Sequence, residues 1–255
     1  MQAAMRSTSR SAALHAAAFA APLLLVAGCA AHTEFGMESP GRPSITWQAE
    51  EPDAPPKPNA RAQKKAEQAL LAELHNAEQQ GGDDLALATT LYNLAILRRQ
   101  QGRLDEAAQL YRRGLQLRER KQGPNHPDVA TILNNLAALE AARGRYETAQ
   151  PLLERALTIR QTGLGDEHIL TAESMNNLAL LYAAQGNATA AEPLYQRAIA
   201  VLEKAGGPGT GELDRVLDNY AALLYDTGRD TKAQDVESRA RVIRGASGRL
   251  PGSER

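Results

Sequence analysis

Leu133-Asn134-Asn135-Leu136-Ala137 decides the fold. The stretch returns 42 residues later as Met175-Asn176-Asn177-Leu178-Ala179, and stands 42 residues earlier as Leu91-Tyr92-Asn93-Leu94-Ala95. Working outward, four more columns keep the spacing of Asn93, Asn135, Asn177 and Asn219 in four copies. They are Ala95, Ala137, Ala179 and Ala221; Gly102, Gly144, Gly186 and Gly228; Ala107, Ala149, Ala191 and Ala233; and Arg113, Arg155, Arg197 and Arg239. Identity at five columns without a gap is not chance, and a fixed period of roughly 20–50 residues is the mark of stacked structural units.

Each unit reads as two helices. Ile132, Leu133, Leu136 and Leu139 share one face at helical spacing. Gly144 follows, the residue type usual just past a helix end. From Tyr146 to Gln161 a second stripe runs through Ala149, Leu152, Leu153, Ala156, Leu157 and Ile159. The segments 123–128 and 165–168 supply turn and helix-start residues. Composition agrees: 43% of the 255 residues are apolar, yet only 4% are aromatic. A sandwich or barrel would want more aromatic and β-branched side chains. Lys plus Arg is 29 against 30 for Asp plus Glu, so no overall basic field exists to hold nucleic acid.

The repeat resembles the tetratricopeptide repeat in its 42-residue, kinesin-light-chain form. The resemblance rests on the three Asn-Leu-Ala stretches, on Gln-Gly at 101–102 and 185–186, on Leu-Tyr-x-Arg at 110–113 and 194–197, and on Gly-x-x-His at 123–126 and 165–168. It implies an all-α, right-handed solenoid of about four helix pairs. The expected organisation is a capping helix within 60–82 and repeats at 85–126, 127–168, 169–210 and 211–244, followed by a disordered tail at 245–255. Unit four departs from the signature, with Asp-Asn-Tyr-Ala at 218–221 and Arg241 where the others carry Leu115, Leu157 and Ile199. A polar last unit keeps the end of a solenoid soluble.

Ahead of the repeats, residues 1–28 carry Arg6 and Arg10 and no acid, then an apolar stretch from Ala12 to Val26. That is the build of an export signal. Ending Val26-Ala27-Gly28-Cys29, it resembles a bacterial lipoprotein signal, which implies cleavage before Cys29 and lipidation of that cysteine. Ala30 rather than aspartate follows, which by resemblance points to the outer membrane, facing the periplasm. Two alternatives are secretion to the periplasm after cleavage near Ala30 or Ala31, and an uncleaved anchor, for which the stretch is short against the roughly 20 apolar residues of a spanning helix. Residues 29–59 hold Pro40, Pro43, Pro52, Pro55, Pro56 and Pro58 and read as a disordered tether. Trp47, the only tryptophan, lies within it, either as an incidental aromatic or as a docking residue.

The resemblance also implies a concave groove lined by the first helix of each pair, receiving an extended peptide or partner segment. The groove asparagines are then Asn93, Asn135, Asn177 and Asn219, with Tyr92, Arg99, Asn134 and Asn176 beside them. By the same alignment Thr89, Thr131, Ala138, Glu173, Leu180, Arg215, Asp218 and Tyr225 follow. A side-chain amide offers one donor group and one acceptor and so can pair with any peptide backbone. It can equally bond across neighbouring helices and hold the stack, and both readings stay open. The arginine column on the second helices reads as ion pairs to nearby acids. Residues 85–126 hold 8 basic and 3 acidic side chains, against 12 and 16 in residues 127–244. With Arg98 and Arg99 near the groove end of unit one, this imbalance points to a partner with an acidic end, or simply to a solvated surface.

Catalysis finds no support. His126 and His168 sit in equivalent loops with no nucleophile beside them, Cys29 is the single cysteine, and no cofactor or metal motif occurs. Function therefore reads as a non-catalytic interaction scaffold at the membrane. The alternatives are an assembly factor of pilotin type for a pilus, secretion or outer-membrane machine, and a glycan-binding accessory of the cell wall.

Overall fold

The computed structural model describes residues 60–79, 84–206 and 212–247. The signal segment, Cys29, the tether with Trp47, residues 80–82 and the end of the tail from 248 lie outside the described residues. Those described form α1 (Ala60–Gln79), α2 (Asp84–Gln100), α3 (Leu104–Gln122), α4 (Pro127–Ala141), α5 (Tyr146–Leu164), α6 (Ile169–Ala184), α7 (Ala188–Ala205), α8 (Glu212–Asp226) and α9 (Asp230–Ser247), with no strand among them. The last helix runs three residues past 244, through Gly245 to Ser247, so the first three residues expected in the disordered tail are helical instead, and Gly248 follows its end.

Four hairpins, α2–α3, α4–α5, α6–α7 and α8–α9, stack in chain order, and α1 packs on α2 as a preceding second helix would. The chain is thus an all-α solenoid of four stacked helix pairs with a helix at its N-terminal end, as the repeat predicts. Alanine lets the two helices of a hairpin approach: Ala95, Ala137, Ala179 and Ala221 on the first helices and Ala107, Ala149, Ala191 and Ala233 on the second are all at most 3% exposed. The turn inside each hairpin needs a left-handed residue, with φ of 74°, 72°, 74° and 71° at Gly102, Gly144, Gly186 and Gly228. A side chain there is strained, which is why this column admits glycine alone. Between hairpins, the ring Nδ1 of His126 accepts from the Asp128 N–H at 3.2 Å and that of His168 from the Leu170 N–H at 3.1 Å. Both histidines are helix caps, satisfying donors that the first turn cannot.

The conserved-spacing arginines tie each hairpin to the element before it. Arg113 pairs with Glu78 of α1, Arg155 with Glu119 of α3, Arg197 with Asp166 and Arg239 with Glu203 of α7. These pairs are substantially exposed, so each contributes well under about 1 kcal/mol. At the C-terminal end a stronger junction forms. Glu192 on α7 accepts from the Tyr220 hydroxyl at 2.7 Å, from Arg229 Nη1 with both carboxylate oxygens at 2.9 and 2.7 Å, and from Lys232 at 3.2 Å.

The Tyr220 hydrogen bond first, then Arg229, hold the Glu192 carboxyl down at about 2, against an ordinary 4.5. A depressed folded-state pKa contributes stability that is full above the unfolded value and is lost as pH falls through the folded one. Between pH about 4.5 and about 2 the last hairpin should therefore loosen, and Glu192→Gln should flatten that acid limb. Circular dichroism melts across this window check it; an unchanged acid limb in the variant rules the junction out as its source.

Candidate functional site

The first helices form the inner wall. α4 packs directly on α6 and α6 on α8, whereas no pair of second helices makes a comparable contact among the described residues. Elements that touch their repeat neighbours lie on the shorter arc, so α2, α4, α6 and α8 line the concave side. On them three columns are half-buried in every unit: Thr89, Thr131, Glu173 and Arg215; Ile96, Ala138, Leu180 and Ala222; and Arg99, Ala141, Ala183 and Tyr225. Offsets of seven and three residues put the columns on one helical face. The groove floor is therefore an apolar, small-residue stripe edged by polar side chains. Ile96 and Ala222 belong to it on the same spacing as Ala138 and Leu180.

The asparagines sit deeper. Asn135 is 2% exposed, and its amide donates to the Tyr92 hydroxyl at 3.1 Å and to the Thr131 carbonyl at 3.0 Å. Asn134, fully buried, donates to the Ser174 hydroxyl at 2.9 Å. Asn176, 1% exposed, accepts from the Asn219 amide at 3.0 Å. Asn177 is buried as well, while Asn93 and Asn219 at the two ends are half-buried. Apart from the Asn135 bond to Thr131 within α4, these bonds run between neighbouring first helices, α2 to α4, α4 to α6 and α6 to α8. Tyr92 is half-buried, and burial pushes its hydroxyl above the ordinary value.

A second arginine column, absent from the sequence reading, underlies the groove. Arg118 of α3 is 3% exposed and donates to Asp128 at 2.6 Å and Thr89 at 2.9 Å. Forty-two residues on, Arg160 of α5 is 1% exposed. It donates to the Leu170 carbonyl at 2.5 Å, Ser174 at 3.1 Å, Glu173 at 3.3 Å and Thr131 at 3.4 Å. Arg244 of α9 reaches Asp214 at 3.2 Å and Asp218. Burial holds the Arg118 and Arg160 guanidiniums below their ordinary pKa, opposed by Asp128 and Glu173. Unit three carries Leu202 in this column. The acid facing it, Glu212, pairs with Arg215 instead, and burial pushes its carboxyl up.

The basic excess of unit one is largely answered by its neighbours. Arg98 is 6% exposed and pairs with Glu67 of α1 and with Glu106, so it does not present its charge to the groove. Arg112 meets Glu140 of α4, Arg113 meets Glu78, and Arg118 meets Asp128. Arg99, in the last turn of α2, is half-buried on the inner wall. No cluster of three metal-ligating side chains occurs among the described residues, and no helix among them is long and apolar enough to cross a membrane.

Stacked helix pairs with an inner groove define a repeat scaffold. The chain belongs to the tetratricopeptide repeat family, whose model matches residues 61–120, 86–162, 128–204 and 170–244. It is similar in structure to BtubC (BKLC) from P. vanneervenii, at 29% identity, with 76% of this chain and 78% of that one covered and a TM-score of 0.65. It is also similar in fold to a Podosopora anserina protein described as a kinesin light chain with nearly identical TPR-like repeats, at 20% identity, 74% and 90% coverage and a TM-score of 0.59. The apo form of RapI shares the fold at 15% identity, 72% and 66% coverage and a TM-score of 0.63. No curated protein matches the chain. Members of the family are generally non-catalytic repeat scaffolds that bind protein partners.

Proposed function

We propose that this protein is a membrane-anchored tetratricopeptide lipoprotein that faces the periplasm and holds an extended segment of a partner protein in its concave groove. The observation that carries the reading is the continuous half-open stripe through Ile96, Ala138, Leu180 and Ala222, which no other part of the described chain covers. Its edges supply polar partners, with Thr89, Thr131, Glu173 and Arg215 half-buried along one side. Arg99 at the unit-one end favours a segment whose acidic end lies there. The anchor rests on the charged start, the apolar centre and Ala27-Gly28-Cys29. Several acyl chains on one residue exceed the two signals that stable membrane anchoring requires.

Two measurements test the halves separately. Metabolic labelling with a fatty-acid analogue should mark the wild type and leave Cys29→Ser unmarked, because the variant lacks the thiolate that takes the lipid. Equal labelling of both ends the lipoprotein reading. Crosslinking in intact cells from a photoreactive residue placed at Ala138 should capture a discrete partner, and the same residue at Arg155 on the outer row should not. Capture from both positions alike would remove the groove from the proposal.

A further inference from the structure

The N-terminal end of the solenoid is open in a way its middle is not. The second helices α3, α5 and α7 each pack between two first helices, whereas α1 packs on α2 with no helix before it among the described residues. One face of α1 carries Arg61, Lys64, Lys65, Gln68 and Leu71, all exposed and at helical spacing. Leu71 is 40% exposed, one of two large apolar side chains so open among the described residues. It helps line a depression of ≈ 450 Å³ between α1 and the end of α2, with Gln63, Lys64, Glu67, Gln68 and Gln101. Glu67 there is engaged by Arg98 and Gln101. The surface thus offers an apolar spot with a cationic flank.

We infer that this surface is covered by the chain's own residues 45–53, which lie outside the described residues, with Trp47 against Leu71 and Glu50, Glu51 and Asp53 along Arg61, Lys64 and Lys65. Three features single out this occupant. Fifty-nine residues precede α1 and join it at the cationic end of the face, so the segment is held at high local concentration. The charges are complementary, three acids in 50–53 against three bases in 61–65. The spacing also fits. Lys64 to Leu71 spans about 10 Å at about 1.5 Å per helical residue. Trp47 to Glu50 or Glu51 spans roughly 9–12 Å at about 3.1 Å per residue of chain in polyproline-like extension. Residues 54–59, with Pro55, Pro56 and Pro58, form the return. The contact caps the open end of the repeat stack and lays the last part of the tether along α1, so the anchor joins the solenoid at a set angle. It does not rest on the groove reading.

The single tryptophan makes the test direct. In the purified full chain, a docked population about ten times the free one lowers acrylamide quenching of Trp47 roughly tenfold relative to a synthetic 45–53 peptide. Leu71→Asp should restore peptide-like quenching. Lys64→Glu with Lys65→Glu should do the same, and adding Glu50→Lys with Glu51→Lys should return the protection. Circular dichroism on each variant confirms that α1 is retained, since these positions are exposed. Peptide-like quenching in the wild type overturns the inference. So does protection indifferent to both sets of substitutions, protection that vanishes on dilution (a second copy as occupant), or protection that appears only with anionic vesicles (a membrane as occupant).

Discussion

Arg160→Ala should be the most damaging single substitution outside the apolar core, costing about 3–5 kcal/mol, the usual loss when one partner of a buried pair is removed. The side chain is 1% exposed and bridges α4 and α6 from α5, through Thr131, Leu170, Ser174 and Glu173. Its removal strands the Glu173 carboxylate, itself 12% exposed and within electrostatic reach of Glu212. A loss of that size lowers a melting midpoint by on the order of 10 °C in a domain of this length. Arg155→Ala provides the contrast. Its partner is Glu119, the two are 39% and 28% exposed, and the cost should stay under about 1 kcal/mol. Unit three also suggests a rescue, because Leu202 fills the equivalent place there. Arg160→Leu combined with Glu173→Gln should recover a large part of the loss by removing both charges together. Denaturant titration of the four proteins decides it. If Arg160→Ala melts within about 0.5 kcal/mol of wild type, within the range of ordinary surface changes, the bridge does not hold the stack.

The architecture was legible because the glycine column and the two alanine columns each keep one residue type in one environment. Glycine stands where φ is positive, and alanine where two helices touch. The second arginine column escaped because Leu202 interrupts it, and a search for fourfold identity passes over a threefold one. Arg118 and Arg160 look on sequence like any surface arginine of a second helix; only the turn of the helix puts them inward. The asparagines pose a different difficulty. A buried amide joining two helices and an open amide waiting for a peptide keep the same 42-residue step, and the depth of Asn134, Asn135 and Asn176 becomes visible only with the neighbouring helix in place. Unit one's charge had a similar origin. A count over residues 85–126 omits Glu67 and Glu78 on one side and Asp128 and Glu140 on the other, which supply the counter-charges.

Ile96→Ala combined with Leu180→Ala should cost the partner roughly 30-fold or more in affinity, the effect of losing about 2 kcal/mol at the centre of an interface. Both side chains are half-buried on the inner wall, one on α2 and one on α6, so an extended segment crossing the groove meets both. The fold should tolerate the change, because neither side chain belongs to the fully buried core. Asn135→Ala should behave in the opposite way. It removes the donor that serves both the half-buried Tyr92 hydroxyl and the Thr131 carbonyl. Buried polar groups left without a partner cost about 1–3 kcal/mol, so the melting midpoint should fall while affinity in the surviving folded fraction holds. Titrating the crosslinked partner against both variants, with melts on the same samples, separates the wall from the struts. Should Asn135→Ala weaken binding as much as the apolar pair does, without melting earlier, its amide belongs to the peptide and the groove floor reaches one layer deeper than the stripe.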